Sequence, residues 1–143
     1  MVFVRDEGSV YDAPRDVIFS FFGSRQEHSD AHRHRAVHRE SLGENAGRYS
    51  WEQDFLGKPE RFAMRWTSFA PVGFGYEVLE GPLAGSKFFL FYMPMGDRTG
   101  VSVVGEFTSP TIPEPEIAAA VDRFFTTEFE QDFVAIQARM RRR

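Results

Sequence analysis

The feature that most constrains the fold is a series of six strand-like segments between residues 36 and 109, each closed by a short turn. The segments are rich in β-branched and aromatic residues, and the turns between them contain Gly, Pro, Asn or Asp. The segments are AVHRESL, RYSWEQDFLG, ERFAMRWTSF, GFGYEVLEG, SKFFLFYMPM and TGVSVVGEFTS. Because the turns are short, consecutive strands are expected to be antiparallel neighbours in one sheet.

Helical patterns flank this series on both sides. Before it, a strand over residues 2–11 leads to Pro14, which is typical of a helix start, and to a short amphipathic helix that ends at Gly23. After it, apolar periodicity from Ile117 to Met140 predicts a helix that starts near Glu114 and exceeds the mean of ~11–12 residues. The predicted order is strand, short helix or helices, six strands and a long helix, which is an α+β fold.

The opening GSVYDAPRDVIFSFFGS resembles the start of SRPBCC domains, the superfamily of START-like, polyketide-cyclase-like and birch-pollen-allergen-like proteins. In those domains the first strand ends in an Ala-Pro pair that begins a helix of the form Pro-x-x-Val-Phe/Trp. The order of the remaining elements is similar along nearly the whole chain. The resemblance implies the helix-grip fold, in which a seven-stranded antiparallel sheet wraps the long C-terminal helix and leaves a cavity.

Composition excludes several kinds of function. The chain has no cysteine, which excludes disulfides, thiolate metal sites, iron–sulfur clusters and a cysteine nucleophile. A net charge of −4 offers no basic field for nucleic acid. No apolar run approaches the ~18 residues of a membrane span. We therefore expect a cytoplasmic protein with one domain over residues 1–143.

The aromatic content, 15% of all residues with 16 Phe, predicts a thick core or a lined cavity. A sheet that grips one helix has to fill its concave face with side chains or with a ligand. Candidate ligand-binding residues are Trp51, Met64, Trp66, Tyr76, Phe89, Phe91, Phe125, Glu128 and Phe129. With the resemblance, they predict that a small hydrophobic or aromatic molecule binds in a pocket above ~300 Å³. The alternative is that these side chains pack against the helix and leave no pocket.

The long helix carries a carboxylate on its apolar face. At 100° per residue, Asp132 projects near the middle of the apolar arc, and Glu128 lies toward one side of it. The arc is formed by Val121, Phe125, Phe129 and Ile136. A buried carboxylate needs a partner, because removing its water costs several kcal/mol. The candidates are a histidine, a metal, a wet cavity mouth or an arginine such as Arg61, Arg65 or Arg98.

All four histidines, His28, His32, His34 and His38, lie in the stretch EHSDAHRHRAVHRE. On a helix, His28 and His32 are one turn apart, a spacing that lets two imidazoles share one ion. His34 and His38 form a second such pair, and in an extended chain all four would share one face. Two histidines with one carboxylate suit Fe(II) and also Zn(II). The alternative is a solvated turn, in which the interleaved arginines repel a cation.

The segment FEQDFVAIQARM resembles the C-terminal helix of Rieske-type ring-hydroxylating oxygenases, whose catalytic domain also has a helix-grip fold. There, a Phe-x-Glu-Asp-like motif supplies the aspartate ligand of a mononuclear iron, and two histidine ligands lie earlier in the domain. The resemblance implies Asp132 as the aspartate and His28 with His32 as the histidines. The alternative pairs are His28 with His34, and His34 with His38. Because no Cys-His iron–sulfur motif accompanies it, the resemblance implies a metal site more than oxygenase chemistry.

Three kinds of function remain open at this point. The first is a module that binds a small hydrophobic or aromatic molecule, beside a His/Asp metal site or without one. The second is an enzyme acting on a cyclic substrate, either metal-dependent with non-haem iron or zinc, or cyclase/aromatase-like with acid–base chemistry. The third is an interaction domain that binds a protein partner through its sheet. No nucleophile elbow or phosphate loop points elsewhere.

Overall fold

A computed structural model describes residues 1–142, and its elements follow the predicted order. The strands are β1 (Val2–Tyr11), β2 (Arg35–Gly43), β3 (Ala46–Phe55), β4 (Lys58–Phe69), β5 (Gly73–Glu80), β6 (Lys87–Met95) and β7 (Arg98–Phe107). The helices are α1 (Arg15–Gly23), α2 (Arg25–Ala31) and α3 (Glu114–Arg141). The two short helices therefore follow the first strand, and the long helix begins where the sequence predicts it.

The seven strands form one sheet in the order β1-β7-β6-β5-β4-β3-β2, and all neighbours are antiparallel. From β2 to β7 each strand pairs with the next, as the short turns predict. β1 pairs with β7 instead, because α1 and α2 carry the chain from one edge of the sheet to the other. The α+β class and the seven-stranded antiparallel sheet are confirmed.

α3 packs on one face of this sheet and contacts strands from both halves of it. Phe124 of α3 lies 5.1 Å from Phe55 of β3 and 6.0 Å from Phe62 of β4, measured between ring centroids. On the other side, the hydroxyl of Tyr11 on β1 donates a hydrogen bond to the backbone oxygen of Phe129 (3.1 Å). The sheet therefore curves around α3, which buries the predicted apolar arc of the helix. Among the described residues, no helix is long and apolar enough to cross a membrane.

The two faces of β6 correct part of the predicted ligand site. Phe88 and Leu90 are buried against the helix side, whereas Phe89 and Phe91 are 43% and 40% exposed on the outer face. The prediction that Phe89 and Phe91 line the cavity is wrong. The prediction failed because β6 is apolar on both faces. The alternation of its residues alone therefore did not show which side chains face inward.

Candidate functional site

α2 places two histidines on one side of a short helix. The helix is capped by Ser24, whose side chain accepts a hydrogen bond from the N–H of Glu27 (3.3 Å). His28 and His32 follow one turn apart, and their rings are 4.5 Å from each other between centroids. The two histidines therefore lie one helical turn apart, as the helical alternative predicted, and this segment is not extended.

A left-handed residue ends α2. Arg33 has a φ of 54°, and its N–H bonds to the carbonyl oxygen of Asp30 (3.2 Å). The N–H of His34 bonds to the carbonyl oxygen of Ser29 (2.9 Å). These two bonds are the pair expected of a Schellman cap, which turns the chain from α2 into β2. The interleaved arginines are exposed and lie outside the histidine cluster.

His28, His32 and Asp132 bring three potential ligand atoms together. Nε2 of His32 lies 2.8 Å from Oδ1 of Asp132, Nε2 of His28 lies 3.5 Å from the same oxygen, and the two Nε2 atoms are 3.1 Å apart. Asp132 is 1% exposed and His32 5%. The carboxylate on the apolar face of α3 therefore meets histidines. The alternative arginines pair elsewhere: Arg61 with Glu52, Arg65 with Glu77 and Arg98 with Asp12.

Glu128 on α3 holds the other nitrogen of His32. Its Oε2 lies 2.5 Å from Nδ1 of His32, and Oε1 of Gln131 lies 2.6 Å from the same nitrogen. Gln53 on β3 donates from Nε2 to Oε1 of Glu128 (2.5 Å), and Trp51 donates from Nε1 to Oε1 of Gln53 (2.6 Å). A chain of hydrogen bonds therefore runs from the sheet to the ring of His32.

Gln53 and Gln131 are site residues that the sequence did not indicate beforehand. A signal for Gln53 exists, because the inward side chains of β3 are Tyr49, Trp51, Gln53 and Phe55. A buried amide in an aromatic row needs hydrogen-bond partners, and these are what the site supplies. Gln131 has no such signal, since a half-buried glutamine is ordinary on a helix.

Burial and the two carboxylates set the charge of the site. Burial lowers the pKa of His32, but Glu128 and Asp132 together outweigh it and raise that pKa to about 11. Burial raises the pKa of Asp132 to about 6, against the lowering effect of His32. Burial also raises the pKa of the Tyr11 phenol, and the charge of Asp132 adds to that rise. Without a metal, the site therefore favours a protonated His32 between two acidic side chains.

The other two histidines lie outside this group. Nδ1 of His34 is 2.9 Å from the hydroxyl of Tyr49, and the ring of His34 is 5.5 Å from that of His32 between centroids. His38 is exposed on β2. In the part of the chain that the structure describes, the His/Asp/Glu group close enough to share one ion is the trio of His28, His32 and Asp132, with ligand atoms within 4.8 Å of one another.

The trio has the spacing of neighbouring ligands around one ion. Bonds of about 2.1 Å at angles between about 90° and 109° separate two ligand atoms by about 3.0–3.4 Å. The separations of 2.8, 3.1 and 3.5 Å among the three side chains bracket that range. Oδ1 of Asp132 is buried and has no aligned hydrogen bond within residues 1–142. A divalent cation would fit this donor set, and Glu128 would then keep the Nδ1 proton of His32 in place.

A narrow cavity, which we call the chamber, lies between the sheet and α3 beside the trio. Six of the predicted ligand-binding residues line it: Trp51, Met64, Tyr76, Phe125, Glu128 and Phe129. Trp66 does not, because its half-buried ring packs toward Phe74 (6.3 Å). The volume of the chamber is about 70 Å³, so the expectation of a pocket above ~300 Å³ is wrong. The aromatic side chains themselves fill the space that they were expected to enclose.

Comparison with solved structures identifies the fold. The Zhui aromatase/cyclase from Streptomyces sp. R1128 superposes with a TM-score of 0.77 at 13% identity, over 99% of this chain and 94% of that one. A START superfamily protein from Mycobacterium smegmatis gives 0.74 at 12% identity, over 95% and 97%. Ara h 8.0201 gives 0.72 at 12% identity, over 99% and 99%. This chain has the helix-grip fold. No sequence-family profile and no curated protein sequence matches the chain.

Within the helix-grip architecture, the site lies where the short helix, the sheet and the long helix meet. α2 supplies His28, its C-cap supplies His32, β3 supplies Gln53, and α3 supplies Glu128 and Asp132. His28 and Asp132 also line the chamber, so the site borders the space between sheet and helix. Identities this low carry the fold alone, and the chemistry has to be argued from these residues.

Proposed function

We propose that this protein binds one divalent cation, iron or zinc, through His28, His32 and Asp132, and uses it next to a small apolar molecule held between the sheet and α3. The observation that carries the proposal is the convergence of three potential ligand atoms within 4.8 Å, two of them on the buried residues His32 and Asp132. The ligands come from opposite ends of the chain and are brought together only by the fold. Two imidazoles and one carboxylate leave coordination positions open, which is typical of catalytic rather than structural sites.

The residues around the trio support the same proposal. A metal-binding imidazole commonly donates its other N–H to a carboxylate, which fixes the ring and its tautomer. Glu128 and Gln131 flank Nδ1 of His32 in this way, leaving Nε2 directed at Asp132. The likeness of FEQDFVAIQARM to the iron-binding helix of Rieske-type oxygenases points to the same aspartate. When bound, the ion supplies Lewis-acid chemistry or an activated water.

The chain's own residues would orient what binds there. Trp51 and Phe129 form part of an apolar wall that excludes water, and Gln53 holds Glu128. Glu128 in turn keeps the proton on Nδ1 of His32. A molecule as large as an aromatic ring requires movement of the lining side chains, because the chamber holds about 70 Å³.

A second candidate is a cyclase/aromatase-like enzyme that uses no metal. One observation favours it: an open cleft of about 900 Å³, lined in part by Arg123, reaches His32 and Glu128 and has room for a cyclic substrate. A protonated His32 between carboxylates could donate a proton there. The fold likeness to an aromatase/cyclase is compatible with it.

Metal binding separates the two candidates. The protein is prepared without a histidine tag, stripped with EDTA, and titrated by calorimetry with Zn(II) and, without oxygen, with Fe(II). We expect one ion per chain, and at least about a hundredfold weaker binding in Asp132→Asn and His28→Gln. His38→Gln is the matched control, because His38 is exposed on β2. Absence of binding, or equal binding in all three variants, rejects the metal and leaves the acid–base candidate.

A further inference from the structure

The size of the chamber limits what can occupy it. Its volume is about 70 Å³. By comparison, an apolar cavity of about 150 Å³ is known to hold benzene. The chamber therefore has room for a molecule of a few heavy atoms but is too small for a six-membered ring. This limit comes from packed side chains, several of which are buried aromatic rings.

The lining of the chamber also limits the charge of its occupant. The polar side chains that line it belong to the site or touch it: His28, His34, Gln53, Glu128 and Asp132. Every other lining residue is apolar or aromatic, and no lysine or arginine is among them. In the metal-free protein, an anion would face two acidic side chains with no lysine or arginine in the wall. An apolar cavity of this kind favours a neutral, weakly hydrated molecule.

The chamber borders the proposed metal ligands directly. His28 and Asp132 contribute both to its wall and to the trio. An ion held by three protein ligands keeps open positions, and a molecule in the chamber lies beside them. We propose that the chamber is a binding site for a neutral apolar molecule of two to four heavy atoms, a class that includes the diatomic gases. The part of this proposal that concerns the ion rests on the proposed function, whereas the part that concerns the chamber does not.

Xenon tests the chamber independently of the metal. Crystals of the metal-free protein are pressurised with xenon, and binding in solution is followed by xenon NMR. Benzene and indole are titrated in parallel. We expect one xenon atom between the sheet and α3, beside Trp51 and Phe129, and no binding of benzene or indole. Absence of xenon from the chamber overturns the proposal, and so does binding of the two aromatic compounds in it.

A variant whose new side chain fills the chamber, together with a matched control, makes the test more specific. Val78→Phe adds a ring at the buried wall of the chamber, and Val72→Phe adds the same ring at a position that is 48% exposed. We expect loss of xenon in the first variant only, with unchanged metal affinity in both. If Val78→Phe does not fold, the measurements with xenon, benzene and indole on the unaltered protein still test the proposal. Xenon without metal binding rejects the proposed function alone, and metal binding without xenon rejects the chamber alone.

Discussion

At the residue scale, the hydrogen-bond chain behind His32 is the most specific feature of the site. Gln53 reaches Glu128, which lies against Nδ1 of His32, and Trp51 holds the far end of Gln53. Groups of this kind raise the basicity of a ligating imidazole and lock its orientation. They would act on a bound ion through another residue, because they position a ligand without touching the ion.

We expect Gln53→Leu to weaken metal affinity by about 10–100-fold while the fold is retained. The leucine keeps the volume but leaves Oε1 of Glu128 without its donor. Competition with a chromophoric chelator measures the affinity, and circular dichroism checks the fold. Gln26→Leu is the matched control, because Gln26 is exposed on α2. Equal metal affinity in the two variants would show that the hydrogen bonds behind His32 do not affect metal binding.

The charges in the site predict how the stability of the metal-free protein depends on pH. Burial lowers the pKa of His32, but Glu128 and Asp132 raise it to about 11. An unfolded histidine has a pKa of about 6.5, so the folded state binds the proton more tightly. The resulting stability is fully present below about pH 6.5 and is lost as the pH rises toward about 11.

We therefore expect the Tm of the EDTA-treated protein to fall between about pH 7 and about pH 10. Circular dichroism at a series of pH values measures it. His32→Gln, which cannot titrate, should reduce this slope, whereas His38→Gln at the exposed position should keep it. A Tm that rises across this window in the unaltered protein, or the same slope in His32→Gln, would contradict the charge arrangement around His32.

At the scale of elements, the end of α2 decides which way the histidine segment turns. Arg33 holds a φ of 54°, a conformation that costs a residue with a side chain roughly 1–2 kcal/mol. Glycine adopts it freely but makes the unfolded chain more flexible. We expect Arg33→Gly to raise the free energy of unfolding by at most about 1 kcal/mol, without loss of metal binding.

Urea unfolding measures this free energy, and two further variants serve as comparisons. Arg33→Val should destabilise the protein by more than about 1 kcal/mol, because a β-branched residue is strained at positive φ. Arg39→Gly makes the same chemical change within the exposed strand β2 and should destabilise by roughly 0.5–1 kcal/mol. A loss of stability in Arg33→Gly as large as that in Arg33→Val would mean that the Arg33 side chain, not its backbone, matters.

At the scale of the whole molecule, the trio connects the beginning of the chain to its last helix. His28 lies in α2, His32 is the C-cap of that helix, and Asp132 lies in the second half of α3. An ion bound by all three ties these helices together only in the folded state. At a free concentration 100-fold above Kd, such an ion stabilises the fold by about 2.7 kcal/mol.

For a chain of 143 residues, that gain corresponds to a rise in Tm of about 5–10 °C. Differential scanning calorimetry with and without Zn(II) measures the rise, and EDTA should reverse it. His38→Gln should show the full rise, and Asp132→Asn should show none. An equal rise in Asp132→Asn would place the bound ion somewhere else on the protein.

Local patterns in the sequence determined the elements and the candidates for the site. Turn residues at regular spacing predicted six consecutive strands, and periodicity predicted α3. The same periodicity placed Asp132 on the buried arc of α3, where a carboxylate requires a partner. The helical spacing made His28 with His32 one candidate pair of partners, and His34 with His38 remained another. These conclusions rest on short-range geometry, which a sequence carries directly.

Tertiary structure alone decided the remaining features. β6 is apolar on both sides, so only its pairing with β5 and β7 showed that Phe88 faces inward and Phe89 outward. Gln53 joined the site because β3 passes beside α3, a contact between residues that are 75 positions apart. The volume of the chamber is a small difference between the space that the sheet encloses and the rings that fill it. No local pattern reports such a difference, because every side chain of the wall contributes to it at once.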